Sequence, residues 1–344
     1  MTDDTCAIRA VLWEPAEDGK VQCKLCAHRC LIPQQQSGYC SVRCNVNGSL
    51  YSLAYGKICA ANADPVEKKP LFHFLPGSKS FSIAAQGCNF RCEFCQNWQI
   101  SQAPLESGEV KGQPVSVQEI VHCALENRCQ SIAYTYTEPT VFMELCSECA
   151  HLAQSKGLLN VMVSNGYQTI EAIDFAKDWL HGINIDLKAF NSKFYNRFCK
   201  ARLEPVLEVI EYIARHTDIW MEITTLIVPG QNDSKEELSK LADFIVNKAG
   251  PDVPWHVSRF YAQYKCSSIE TTPVSTLEMA CEIGKNAGLN YVYPGNIPGS
   301  NGESTFCAQC SKLLIKRNGY VVQENYLDQG VCPDCGLVIP GRFT

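Results

Sequence analysis

Cys88, Cys92 and Cys95 stand in the run Gln86-Gly87-Cys88-Asn89-Phe90-Arg91-Cys92-Glu93-Phe94-Cys95-Gln96-Asn97-Trp98, a C-x3-C-x2-C spacing with no fourth cysteine close behind. A 4Fe–4S cluster normally takes four thiolates. Three leave one iron without a protein ligand, and an open coordination position marks a reactive metal rather than a structural one. The alternative is three cysteines packed as small hydrophobes. The context along the rest of the chain favours the metal.

Two further cysteine groups flank this triplet. Cys307-x2-Cys310-x21-Cys332-x2-Cys335 forms two knuckles that read as a tetrahedral Zn site or a rubredoxin-like Fe site, closed by four thiolates and therefore structural. Cys23-x2-Cys26-x3-Cys30-x9-Cys40-x3-Cys44 offers one ligand too many. Cys23, Cys26, Cys30 and Cys40 are the chosen four for a second metal, with Cys44 spare and His28 a bystander. Zn and another Fe–S cluster both remain open there, as do redox-active or packing thiols. The other nine cysteines (Cys6, Cys59, Cys123, Cys129, Cys146, Cys149, Cys199, Cys266 and Cys281) are scattered. Cys146 and Cys149 fall in a helical pattern with apolar neighbours and read as packing residues.

Twenty-one cysteines in 344 residues, with an acidic start and no apolar run of signal or membrane length, argue against a secreted disulfide framework. A cytoplasmic protein with no membrane association is expected. The net charge of −6 and the lack of a basic tract argue against duplex nucleic acid as a partner. A hydrophobic content of 46% is enough for a full core.

The elements that must position these residues fall into three segments. Residues 1–80 are loop-rich and cysteine-rich. Residues 81–300 alternate short apolar strands with amphipathic helices: Phe81–Gln86, Ser131–Tyr136, Asn160–Ser164, Gly182–Asp186, Trp220–Val228, Trp255–Phe260 and Tyr291–Tyr293. Ser116, Ser234 and Ser275, each with a glutamate three residues on, predict capped helix starts. Repeated βα units give an α/β fold with a parallel sheet, open or curled into a barrel. Residues 301–344 form a small C-terminal unit.

In such barrels the active site lies at the carboxyl ends of the strands. The triplet follows the first strand. Thr137-Glu138-Pro139, Ser164-Asn165-Gly166 and Asp186-Leu187-Lys188 follow the next three, and a later strand carries His256 and Arg259. Each alone is as easily a cap or a solvated loop residue. Five at five strand ends point to one site.

The triplet with its interleaved aromatics resembles the signature of the radical S-adenosylmethionine superfamily, from about Phe81 to Gly295. The resemblance implies a partial (β/α)6 barrel. It also implies a cluster whose open iron is chelated by the amino and carboxylate groups of S-adenosylmethionine, and one-electron cleavage of the sulfonium to a 5′-deoxyadenosyl radical. On that ligand Glu138 suits the amino group, Lys188 the carboxylate, Asp186, Ser164 and Asn165 the ribose hydroxyls or amino group, and His256 the adenine. Ser164-Asn165-Gly166 and Asp186-Leu187-Lys188 are similar to the Thr-Asn-Gly and Asp-Leu-Lys motifs of pyruvate formate-lyase activating enzymes. Tyr136-Thr137-Glu138 departs from the Gly-Gly-Glu common there.

Asp64–Phe74, Trp255–Phe260, Tyr291–Asn296 and Ile339–Arg342 resemble, over nearly the whole chain, the radical enzyme of the AmmeMemoRadiSam system. That resemblance implies Memo-like and AMMECR-like partner proteins and an electron donor such as flavodoxin or ferredoxin. Asp64–Phe74 itself reads as a solvated loop or as a lid or docking edge near the cluster. The competing function is a non-catalytic metal-binding scaffold for those partners. A scaffold has no need of Glu138, Asp186 and Lys188 together.

Overall fold

The computed structural model describes residues 7–297 and 302–344. Cys6 and the boundary expected at 300/301 lie outside them. The central sheet begins with strand β1 (Lys57–Pro65), which pairs antiparallel with β2 (Lys79–Ala85). Parallel strands follow in sequence order: β3 (Ser131–Tyr134), β4 (Leu159–Ser164), β5 (Gly182–Asp186), β6 (Trp220–Ile227), β7 (Trp255–Arg259) and β8 (Val292–Gly295). A two-residue strand, Gln113–Pro114, extends the β1 edge.

Each crossover from β2 to β8 carries a helix: α1 (Val117–Glu126), α2 (Met143–Ser155), α3 (Ile170–Ala176), α4 (Glu204–His216), α5 (Lys235–Phe244) and α6 (Val274–Ala287). Consecutive pairing with no reversal of direction is barrel winding rather than doubly wound topology. Ser116 makes the full reciprocal capping box with Glu119. Ser234 caps α5, but the Glu237 carboxylate turns to the Phe190 backbone N–H instead. Ser275 is not a cap. The helix starts one residue earlier, after Pro273, whose fixed backbone sets the entry. Cys146 and Cys149 are fully buried on α2.

The segment joining β1 to β2 fills the amino-terminal end of the barrel. It is neither a lid nor a docking edge, because its apolar side chains point inward. Val66, Leu71 and Phe74 pack with Ala133 of β3 and Val161 of β4, and a Cβ at Gly182 would lie 2.9 Å from the Phe74 ring. The Glu222 carboxylate of β6 accepts hydrogen bonds from the backbone N–H groups of Phe72 (3.0 Å) and His73 (2.8 Å) and from Trp220 Nε1 (3.0 Å). His256 Nε2 completes the set at 2.6 Å. Burial opposes the charge on Glu222, but His256, His73 and Trp220 hold its pKa below the usual carboxylate value.

The C-terminal residues cap the same end. Arg317, fully buried, donates to the Phe72 carbonyl at 2.6 Å and lies 4.4 Å over the Phe72 ring. Arg342 N–H donates to the His73 carbonyl at 2.7 Å. The last segment is thus packed onto the barrel rather than free-standing. At the other flank, residues 8–52 form two small three-stranded sheets against the α2 and α3 side. No helix among the described residues is long and apolar enough to cross a membrane.

Glu222→Ala strips four buried donors of their acceptor and unpins the plug. A loss of about 3–5 kcal/mol is expected, read as an earlier urea-unfolding midpoint. An unchanged midpoint would show that the plug is held by its apolar contacts alone.

Candidate active site

The cysteine triplet occupies the loop after β2, at the carboxyl end of the sheet. Gly87 turns the chain out of the strand with φ 111°, and a Cβ there would sit 2.6 Å from Val42, so only glycine fits. The loop is held from the far side of the barrel: Arg91 N–H donates to the Cys199 carbonyl at 3.0 Å and Glu93 N–H to the Phe198 carbonyl at 2.9 Å. Cys88, Cys92 and Cys95 all line one cavity of ≈ 480 Å³. That is within the roughly 300–1,000 Å³ usual for small-molecule sites.

The three thiols fit a cluster with an open iron. They converge on a cavity rather than on each other, and no other cysteine among the described residues lines it. Burial, then Glu138 and Cys92, push the Cys88 thiol well above its usual pKa. Cys92 is raised chiefly by a hydrogen bond with the buried Cys199 thiol. Cys95 Sγ lies 3.3 Å from Ser101 Oγ.

Glu138, Asn165, Asp186 and Lys188 line the same cavity. Glu138 Oε1 accepts from the Thr140 N–H (3.1 Å), Thr140 Oγ1 (2.5 Å) and Ser164 Oγ (2.8 Å), while Oε2 accepts only from the Asn165 N–H (2.8 Å). Oε2 therefore keeps a lone pair for a further donor. Burial raises the Glu138 pKa despite these bonds. Ser164 does not line the cavity. Its hydroxyl is spent on Glu138 and on the Gly166 N–H at 3.1 Å, so it ties the β3 and β4 loop ends together. Asn165 Nδ2 donates to Asn89 Oδ1 at 2.7 Å, linking the β4 turn to the triplet loop.

Lys188 Nζ pairs with Asp186 Oδ2 at 2.7 Å. Burial works against the ammonium, but Asp186 and the Cys92 and Cys199 sulfurs keep its pKa above the normal value. His256 lies outside the cavity lining. It is one inward position below Ser258 on β7, and Glu222, Phe72 and Tyr293 enclose it in the plug layer. The structure does not bring it to the cavity with Glu138, Asn165, Asp186 and Lys188. Ser258, Thr224, Leu226 and Asn296 hold the β6–β8 side of the cavity instead.

Tyr136 has φ +65°, the left-handed region that favours glycine. Its hydroxyl bonds to Asp64 and Lys69 Nζ lies 4.7 Å over its ring, which anchors the strained residue. Lys68 and Lys69 reach the cavity from the plug. The sequence places this segment near the cluster but does not mark it as a filling that reaches the site from inside the barrel, and Cys199 stands there among the scattered cysteines.

At the far end, Cys307, Cys310, Cys332 and Cys335 place all four sulfurs within 4.8 Å of one another, the one such group among the described residues. Cys307–Cys335 is 3.5 Å and Cys310–Cys332 is 3.6 Å. One tetrahedral ion at about 2.3 Å from each sulfur would call for about that separation. The Cys335 backbone N–H holds the Cys332 thiol down at about 7.

The sequence pattern of the Radical SAM superfamily matches residues 82–245. The chain is 42% identical over 331 residues to the uncharacterized protein MJ0808 of Methanocaldococcus jannaschii, covering 95% of this chain and 97% of that one. It is 26% identical to the putative glycyl-radical enzyme activating enzyme MJ1632 of the same organism, over 53% of this chain and 68% of the relative. It is 24% identical to the pyruvate formate-lyase-activating enzyme of Listeria monocytogenes, over 60% of this chain and 90% of that enzyme. The chain belongs to the radical SAM superfamily and is a radical SAM enzyme similar to the activating enzymes.

A variant with Cys88, Cys92 and Cys95 all changed to Ala should keep about one Zn or Fe at the C-terminal cysteines by elemental analysis. Further loss of Cys307 and Cys332 should release it. Because Arg317 and Ile339 of this segment cover the plug, that release should also expose the barrel end to proteolysis. Metal content indifferent to Cys307 and Cys332 would contradict the assignment.

Proposed function

We propose that this chain binds S-adenosylmethionine at the carboxyl ends of β2–β7, uses it as a radical source, and abstracts hydrogen from a substrate that enters the same cavity. The observation that carries this is the convergence of Cys88, Cys92, Cys95, Glu138, Asn165, Asp186 and Lys188 on one buried hollow. When bound, the cluster supplies one electron to the sulfonium.

The chain's own residues do the rest. Glu138 Oε2 takes a proton-bearing amino group, and Lys188, drawn from Asp186, takes the carboxylate. Asp186, so released, is placed for a ribose diol. Ser164 acts through Glu138, holding its carboxylate in position. Tyr136 and the plug wall off water from the barrel side.

The cavity and its charges are superfluous in a pure scaffold, so the enzyme reading accounts for more of the molecule. Activation of a partner protein is its proposed form, supported by the likeness to activating enzymes. Memo-like and AMMECR-like proteins are the proposed partners, and a flavodoxin or ferredoxin the proposed donor. A reducing cytoplasm suits a chain whose described cysteines are all unpaired. We assign Zn or Fe to the C-terminal knuckles and a second metal to Cys23, Cys26, Cys30 and Cys40.

Lys188→Ala should weaken S-adenosylmethionine binding about ten- to a hundredfold, since a charge-assisted hydrogen bond is worth roughly 1.5–3 kcal/mol. Glu138→Ala should do as much, with added loss from the unpinned Ser164–Asn165 turn. Titration calorimetry on the reconstituted protein reads both. Affinities equal to the parent's would return these residues to structural roles.

A further inference from the structure

Four of the five N-terminal cysteines surround one pocket. Cys23, Cys26, Cys30 and Cys40 line it with Leu25, Ile32 and Arg43, and Val141 of the barrel closes its inner side. Cys44 points elsewhere, its thiol toward the Asn45 carbonyl. Cys30 Sγ accepts the Tyr39 backbone N–H at 3.4 Å. Arg43, buried, also lines the pocket, with its guanidinium 3.1 Å from the Glu144 carboxylate and donating to the Val11 carbonyl. Its Nε is left without a hydrogen-bond partner among the described residues.

The spacing of the sulfurs decides the metal. A single tetrahedral ion draws four thiolates to the close packing seen at Cys307, Cys310, Cys332 and Cys335. The N-terminal sulfurs form no such group among the described residues, yet they face one pocket. Four thiolates spread around a hollow suit a polynuclear centre.

We propose that Cys23, Cys26, Cys30 and Cys40 hold a second, fully ligated iron–sulfur cluster set against the triplet loop. This rests on the assignment of a metal to these cysteines and sharpens it. The residues between these cysteines touch the residues between the triplet cysteines. His28 Nε2 lies 2.7 Å from the Asn89 carbonyl, and the Arg91 guanidinium sits 3.9 Å over the Tyr39 ring, which lies 4.1 Å from the His28 ring. Val42 packs on Gly87, immediately before Cys88. A centre here is a one-electron relay. An iron–sulfur or flavin donor protein reduces it by one electron, and the same electron passes to the cluster at Cys88, Cys92 and Cys95, leaving the relay oxidised again.

The test uses the full chain carrying Cys88→Ala, Cys92→Ala and Cys95→Ala, reconstituted anaerobically. It should retain about four irons with sulfide and a reduced-cluster electron-spin signal. Adding S-adenosylmethionine should leave that signal unmoved, because no iron is open. Cys44→Ser in this background should keep the signal, and Cys23→Ser with Cys40→Ser should abolish it. If the double change prevents folding, the triple variant and its Cys44→Ser form still decide the matter. In the reduced parent protein the two cluster signals should broaden each other, and the broadening should vanish in the triple variant. Zinc in place of iron at these cysteines, or no metal there, overturns the proposal, and unbroadened signals overturn the relay. Failure of the radical chemistry would appear separately, as a parent cluster that ignores S-adenosylmethionine.

Discussion

A parallel sheet wound in one direction encloses a hollow, and that hollow must be filled at one end and kept open at the other. The Glu222 carboxylate is central to the filling. It draws Phe72 and His73 of the β1–β2 segment into the barrel, and His256 with Tyr293 closes the layer around them. Arg317 then locks the C-terminal segment onto Phe72. With the floor packed, the space above it is left for ligands, ringed by strand ends.

The open end is organised by charge. Glu138 is buried and Asp186 and Lys188 are partly so, in surroundings where electrostatic contacts are stronger than in water and unpaired charge is costlier. Lys188 answers Asp186, and Glu138 is met by backbone and hydroxyl donors. Lys188 and Asp186 hold each other, while Glu138 Oε2 keeps a lone pair free for a further donor. The triplet loop joins this set through Asn165 and Asn89 and reaches the N-terminal cysteines through His28, Tyr39 and Arg91.

Much of this was legible in the residues. β5 is Gly182–Asp186 in both readings, the other six expected strands shift by no more than two residues at either end, and the strand-end rule put Glu138, Asn165, Asp186 and Lys188 in one place, but β1 (Lys57–Pro65) went unread in the loop-rich first segment. Two-residue periodicity gives the face of a strand but not the depth along it, which is why His256 landed in the plug layer and not at the cavity. The β1–β2 segment reads as a loop because its burial comes from Glu222 and Arg317, 150 and more positions away. Ser164 was on the right strand end, but its hydroxyl serves Glu138. Tyr136 hides a glycine-like backbone behind a large side chain, and only its contacts with Asp64 and Lys69 make that tolerable.

In the proposed function the open iron at Cys88, Cys92 and Cys95 receives the amino and carboxylate groups of S-adenosylmethionine. Pulsed electron–nuclear double resonance on the reduced protein, with S-adenosylmethionine isotopically labelled at the amino nitrogen and the carboxylate carbon, tests this directly. Strong coupling of both labels to the cluster is the predicted result. A reduced cluster at the triplet with neither label coupled, under conditions where S-adenosylmethionine is bound, would contradict it.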